Sequence, residues 1–280
     1  MQIVYLNGEY IPLAEARISV LDRGFTFADG VYEVLPVYSG RVFRFEQHIL
    51  RLNNSLSSIF IENPLSNYEW EKILLELVEK NPDPGDQQLY VHVSRGESVR
   101  DHLFREDVEA TVFVMCRPLD KKDFKNGVSA ITHDDIRWQY CHIKSIALLA
   151  NVLLKKKANE SNDAQDAILL RNGFVTEGAS SNVFTVKDNQ VKTPEKSSKV
   201  LAGITRDLLI ELLQESDISC QEMPISYEEL VNADEIWLTS STMGVVSVVK
   251  LDESLVGLGK PGDLWKQVEA LYESLKQKAC

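Results

Sequence analysis

Nowhere in this chain does an apolar run reach the roughly 18 residues needed to cross a bilayer, so no membrane-spanning helix is expected. The start, Met1-Gln2-Ile3-Val4-Tyr5, has neither the basic stretch nor the apolar core of a secretory signal, and none is expected. Cysteine is sparse: Cys116, Cys141, Cys220 and Cys280 stand far apart, with no Cys-x-x-Cys pair. That argues against a disulfide framework or a zinc knuckle and makes a reducing cytosol the default compartment. The histidines show no His-Glu-x-x-His or other ligand spacing, so no metal is expected. Basic charge is also short. The net charge is −12, with acidic residues spread along the chain, which argues against nucleic acid and anionic membranes as main partners.

What is present is an ordinary globular composition, 44% apolar and 26% charged. At about 100–200 residues per domain, this length favours two domains. Asn7-Gly8 between Gln2–Leu6 and Glu9–Ile11 predicts a tight hairpin, and Ser39-Gly40 between Val31–Tyr38 and Arg41–Phe45 predicts a second. Phe45, Ile49, Leu52, Leu56 and Ile59 recur on one helical face. Ser66 with Glu69 forms a candidate capping box opening the amphipathic stretch Trp70, Ile73, Leu74 and Leu77. Leu89, Val91 and Val93 alternate with polar or aromatic neighbours, and Thr111–Met115 is another strand. The polar, lysine-rich stretch Arg117–Gly127 is the candidate linker, giving domains 1–120 and 121–280. Beyond it lie hairpins about Asn172-Gly173 and Asp188-Asn189, with helices over Ser145–Glu160, Thr205–Ser216 and Pro261–Lys278. Antiparallel hairpins mixed with a few helices indicate an α+β fold.

Lys144 is the first candidate for chemistry. It opens the apolar stretch Ser145-Ile146-Ala147-Leu148-Leu149, with no further charge until Lys155. A lysine desolvated in that way has an amine freed for Schiff-base chemistry, although a lysine at a helix end can equally snorkel to water. Leu201-Ala202-Gly203-Ile204-Thr205-Arg206 precedes a helix, where backbone N–H groups and the dipole receive phosphate. Four hydroxyls in Thr239-Ser240-Ser241-Thr242 end a strand, and Arg51 lies beside the apolar face of the first long helix. Glu177, in Thr176-Glu177-Gly178-Ala179-Ser180-Ser181-Asn182, offers a carboxylate to a pyridine nitrogen. Each of these, alone, is also an ordinary cap, turn, solvated arginine or loop acid.

Together, and in this order, they resemble the class IV (fold-type IV) aminotransferases, which use pyridoxal 5′-phosphate (PLP). Asp22-Arg23-Gly24-Phe25 leading to Asp29-Gly30-Val31-Tyr32-Glu33-Val34 is similar to that family's N-terminal signature. His48-Ile49-Leu50-Arg51-Leu52 resembles its phosphate arginine, and Asp135-Ile136-Arg137-Trp138 before Ile143-Lys144-Ser145 its approach to the cofactor lysine. Thr176-Glu177-Gly178 with Ser180-Ser181-Asn182, and Gly203-Ile204-Thr205-Arg206, resemble its ring-nitrogen and phosphate motifs. The resemblance implies an N-terminal α/β sandwich and a C-terminal pseudo-barrel, with PLP at their interface in a homodimer. It implies that Lys144 is both the Schiff-base link and the acid/base of the proton transfer. It places Glu177 at the ring nitrogen and Arg51, Ile204, Thr205 and Ser241 at the phosphate.

The segment Val99-Arg100-Asp101-His102 resembles the loop of D-amino-acid transaminases, in which an Arg-x-His pair and a tyrosine bind the substrate carboxylate. Carried over, the set is Tyr32, Arg100 and His102. Val99 stands where that loop usually has proline, Leu103-Phe104 where it reads Phe-Pro, and Met243-Gly244 where a Ser-Glu pair is usual. The expected reaction is ping-pong transfer of an amino group between an amino acid, D favoured, and a 2-oxo acid. A branched-chain L-amino-acid transaminase, an aminodeoxychorismate lyase, an (R)-amine transaminase and a PLP-binding protein without turnover stay open alternatives.

Overall fold

Turn chemistry decides where the chain reverses. Asn7 and Gly8 both hold positive φ, 47° and 98°, the pair of left-handed residues that a two-residue hairpin requires. They join β1 (Ile3–Leu6) to β2 (Glu9–Pro12) in antiparallel register. A short helix, α1 (Arg23–Phe27), precedes the long strand β3 (Gly30–Tyr38). Ser39 and Gly40, again with positive φ, then turn the chain into β4 (Arg41–Val42). The computed structural model describes residues 1–120, 122–161 and 163–279. Cys280 lies outside them, and Cys116, Cys141 and Cys220 are free thiols.

The chain forms two compact units: one comprises Met1–Asp120 with the insert Ile143–Ala147, the other Lys121–His142 and Leu148–Lys278. In the first, α2 (Phe45–Ser58), α3 (Asn67–Lys80), β5 (Gln87–Ser94) and β6 (Thr111–Pro118) follow β4. Its six strands run β2-β1-β6-β5-β3-β4, and every pair is antiparallel. The α2 face expected from the sequence is real: Ile49, Leu52 and Leu56 pack with Trp70, Leu74 and Leu77 of α3 over Leu35, Leu89 and Val91. Each fully buried leucine contributes about 1.5–3 kcal/mol of apolar transfer. The Ser66 hydroxyl accepts from the Glu69 N–H, and the Glu69 carboxylate accepts from the Ser66 N–H at 2.8 Å, closing the capping box.

The second unit opens with β7 (Val128–Asp134), crosses through α4 (Leu149–Glu160) and returns as β8 (Asp166–Arg171), parallel to β7. A parallel return needs such a crossover. Hairpins follow: β9 (Phe174–Gly178), β10 (Asn182–Lys187) and β11 (Gln190–Thr193), turned by positive-φ pairs at Asn172-Gly173 and Asp188-Asn189. Then come α5 (Ile204–Glu215), β12 (Cys220–Glu222), α6 (Tyr227–Val231), β13 (Glu235–Ser240), β14 (Gly244–Leu251), β15 (Ser254–Leu255) and α7 (Asp263–Ala279). The nine-stranded sheet is ordered β12-β11-β10-β13-β14-β7-β8-β9, with β15 on β14. Ile168, Val183, Ile236, Leu238 and Val248 form its core. Among the described residues, no helix is long and apolar enough to cross a membrane, and no cluster of side chains is placed to hold a metal.

One helix start differs from the sequence reading. The helix begins at Leu149, not Ser145, so Lys144 does not open it. Lys144–Ile146 run extended beside β3: the Tyr32 N–H donates to the Lys144 carbonyl (3.0 Å) and the Ile146 N–H to the Gly30 carbonyl (3.1 Å), with Ser145 bridged to Val31. A Cβ on Gly30 would fall 2.5 Å from the Val93 carbonyl and 3.0 Å from Ile146, so only glycine admits this strand.

Candidate active site

In the first unit the backbone of Lys144 is gripped on two sides. Its carbonyl accepts from Tyr32 on β3, and its N–H donates to Ser55 Oγ of α2 at 3.3 Å. The half-buried side chain then lays its ammonium 4.2 Å from the centroid of the Tyr32 ring. Two residues proposed from the sequence, Lys144 and Tyr32, are thus brought together. Ile143, beside them, is buried in the core of this unit, which fixes the segment's depth.

Arg51 is also inside rather than solvated. Its Nε and Nη2 bind the two oxygens of Glu33 at 2.6 and 2.8 Å, and His48 Nδ1 reaches Glu33 at 2.8 Å. Burial pushes the Glu33 carboxyl up, but Arg51 and His48 outweigh it and hold the group far below the usual carboxylate range. Burial pulls His48 below the usual imidazole value despite Glu33. The result is a fully buried carboxylate that fixes the plane of the Arg51 guanidinium.

Arg100 and His102 lie on the exposed loop after β5 and meet at Phe27 of α1. The Arg100 guanidinium is 5.1 Å from that ring's centroid, and the His102 ring is 5.5 Å away. They come together there, whereas the ring neighbours of Tyr32 are Lys144 and Tyr90.

In the second unit, Glu177 is not a loop acid but the buried penultimate residue of β9. Its Oε1 is hydrogen-bonded by Arg137, while Oε2 accepts from the Leu201 N–H (3.0 Å) and from Asn182 Nδ2 (3.2 Å). Burial pushes its carboxyl up to about 7, with Arg137 pulling the other way. Arg137 is itself held bidentately by Asp135, both bonds at 2.9 Å, and Asp135 also receives Arg171. Asn182 Nδ2 donates further to the Leu201 carbonyl at 2.9 Å, two residues before the N-cap of α5. That cap is Gly203, whose Cβ would meet Asn182 Oδ1 at 1.9 Å. Ile204 and Thr205, both buried, form the first turn of α5. Ser241 sits half-buried in the β13–β14 turn, beside Ser240, whose hydroxyl accepts from the Met243 N–H at 3.2 Å.

Glu33, His48, Asp135, Arg137 and Asn182 carry much of this architecture, and sequence reasoning gave none of them a role. Glu33 had a signal: it is the one acid within the apolar strand Gly30–Tyr38, where an ionised group needs a partner. The Arg137 bond to Glu177 spans 40 positions and leaves no local trace.

A family model described as "Amino-transferase class IV" matches residues 30–251. The chain is 40% identical over 273 residues to D-alanine aminotransferase of Bacillus licheniformis, covering 97% of this chain and 96% of that protein. It is 37% identical to the Staphylococcus haemolyticus enzyme of the same name, covering 96% of each. Among solved structures, the branched-chain amino acid aminotransferase of Escherichia coli superposes with a TM-score of 0.89 at 25% identity, covering 98% of this chain and 94% of that one. That of Thermoproteus uzoniensis gives 0.90 at 23%, covering 99% and 95%, a likeness of fold alone. The chain belongs to the class IV aminotransferases. It is an aminotransferase of fold type IV, and its cofactor is pyridoxal 5′-phosphate.

The residues fit that cofactor. PLP pairs a pyridine nitrogen with a phosphate dianion. The second unit joins, through Asn182, a buried carboxyl to the glycine-capped N-terminus of a 12-residue helix. A carboxyl raised by burial suits the ring nitrogen, and the helix turn bearing Thr205 suits the phosphate.

Proposed function

We propose that this enzyme moves an amino group between a D-amino acid, D-alanine in the first instance, and a 2-oxo acid by a ping-pong reaction. The observation that carries this reading is the meeting of Arg100 and His102 on Phe27, in a chain whose relatives at 34–40% identity are D-alanine aminotransferases. A guanidinium and an imidazole gathered at one aromatic ring offer N–H donors to a single carboxylate. Tyr32, Arg100 and His102 are assigned to the substrate α-carboxylate, whose placement decides which hand of Cα is deprotonated.

Lys144 is assigned to hold the cofactor as a Schiff base, with Glu177 at its ring nitrogen. Arg51, Ile204, Thr205 and Ser241 are assigned to its phosphate. When bound, the cofactor supplies the electron sink for the bond being broken at Cα. The protein's part is proton transfer and positioning. The Lys144 amine, with its main chain fixed by Tyr32 and Ser55, would take the proton from the substrate Cα and deliver it to the cofactor C4′. Asp135 and Arg137 hold Glu177 in place, and Glu33 holds the Arg51 guanidinium in one plane. We infer a cytoplasmic homodimer. Ile18, Val20, Leu21, Phe25, Val99 and Leu103 expose large apolar side chains, as an interface between copies requires, and the free thiols suit a reducing compartment.

Incubation with D-alanine and 2-oxoglutarate, followed by chiral chromatography, tests the reaction. D-Glutamate and pyruvate in equal amounts are expected. Glutamate formed only from an L-donor, or pyruvate released from an enamine-type substrate with no acceptor present, contradicts the assignment.

A further inference from the structure

We propose that Arg23 is a positioning residue for substrate recognition: its guanidinium clamps the backbone of the Arg100–His102 loop and so sets the carboxylate site. The inference rests on the assignment of Arg100 and His102 to the carboxylate. Arg23 opens α1 and is 3% exposed. Its Nη1 donates to the Asp101 carbonyl at 2.6 Å, and Nη2 reaches the His102 carbonyl at 3.5 Å. The first is short and charge-assisted and dominates; the second is at the limit of hydrogen bonding. Both carbonyls belong to the residues between and at the two carboxylate ligands, so the clamp grips the loop where side-chain direction is decided.

The same short helix supplies the surface on which those side chains rest. Phe27 stands one helical turn from Arg23, on the same face. The guanidiniums of Arg23 and Arg100 lie 4.7 and 5.1 Å from its centroid. The loop is tied at its start as well, since the Arg23 N–H donates to the Gly96 carbonyl at 2.8 Å. Arg23 is aimed by Asp29, which accepts from its Nε at 2.8 Å. Asp29 also takes a bidentate pair from Arg95, at 2.8 and 3.0 Å, and Arg95 covers Phe104 at 3.8 Å near the loop's far end. Because Arg95 stays paired with Asp29, removing the Arg23 side chain leaves no buried acid without a partner.

The test uses the PLP-loaded enzyme. Arg23→Met is expected to raise KM for both D-alanine and 2-oxoglutarate about tenfold, the worth of one charge-assisted hydrogen bond, while kcat at saturation and the bound cofactor's visible absorption stay unchanged. In a chain already carrying Arg100→Ala and His102→Ala, the same substitution is expected to change KM less than about twofold, because the groups it positions are gone. Arg23→Lys, which keeps the charge but loses the fork, gives the same reading where Arg23→Met yields no folded protein. If the Arg100/His102 variant itself leaves KM unchanged, the carboxylate assignment falls and takes this inference with it. If that variant raises KM but Arg23→Met does not, or the two effects multiply, the carboxylate assignment stands and the positioning role is overturned.

Discussion

A lysine amine is useful to this chemistry only if it is held without being consumed by a carboxylate partner. Lys144 meets that condition by resting its ammonium on the Tyr32 ring, an attraction worth about 0.5–2 kcal/mol that ties up no carboxylate. Lys144→Ala is therefore expected to lower turnover at least 10²–10⁴-fold, the range of general acid–base catalysis, with an unchanged chemical unfolding curve. A residual rate near that of the parent chain contradicts the assignment. The buried trio of Glu33, His48 and Arg51 makes a second prediction, about pH. His48 sits below its ordinary 6.5 in the folded state, so the unfolded chain takes up that proton first, and stability present above pH 6.5 falls as pH drops through that value. Glu33 sits below its ordinary 4.5, so its stabilisation is full above pH 4.5 and is lost as pH falls toward the folded value. Urea titrations should show both losses in the parent chain, and His48→Gln should flatten the first. Glu33→Gln leaves Arg51 buried against a neutral amide and is expected to cost about 3–5 kcal/mol.

At the scale of the element, the N-terminus of α5 and the strand carrying Glu177 are joined through Asn182, so a change at one end is felt at the other. Gly203→Ala is the direct probe. Its methyl would lie 1.9 Å from Asn182 Oδ1, so either the helix start or the Asn182–Glu177 bond must shift. Overpacking of this kind costs about 1–3 kcal/mol, and PLP affinity measured by fluorescence quenching should fall with it. The α3 cap is the contrasting case. Ser66→Ala is expected to cost about 1 kcal/mol in urea unfolding and leave both KM values untouched. Local signals of this sort were legible in the sequence: every predicted hairpin turn has positive φ at both residues, and the Ser66–Glu69 box forms as its pattern indicates. The start of α4 was not legible. Ser145–Leu148 has the apolar look of a first turn, and what unwinds it is pairing with Gly30 and Tyr32, more than a hundred positions away. The strand β7 was missed for a related reason. Its Val-Ser-Ala-Ile-Thr-His-Asp pattern alternates weakly, and its place is set by parallel neighbours β8 and β14.

At the scale of the whole molecule, the residues given roles by the sequence fall into both compact units: Arg51, Tyr32, Arg100, His102 and Lys144 in one, Glu177, Ile204, Thr205 and Ser241 in the other. Most of the groups assigned to substrate or cofactor bear charged or polar side chains in ordered motifs, and that is why they were readable. Glu33, Arg137 and Arg23 act through pairings 18 to 78 positions apart, and these became visible only in the folded chain. The central claim is that one lysine and one carboxylate trap make this class IV aminotransferase an enzyme of D-amino acids. The visible spectrum of the PLP-loaded protein, recorded before and after D-alanine and separately before and after L-leucine, tests it most directly. Loss of the bound cofactor's absorption band with D-alanine alone is predicted. Loss with L-leucine alone would leave Lys144 in place but reduce Arg100 and His102 to ordinary loop residues, contradicting the account.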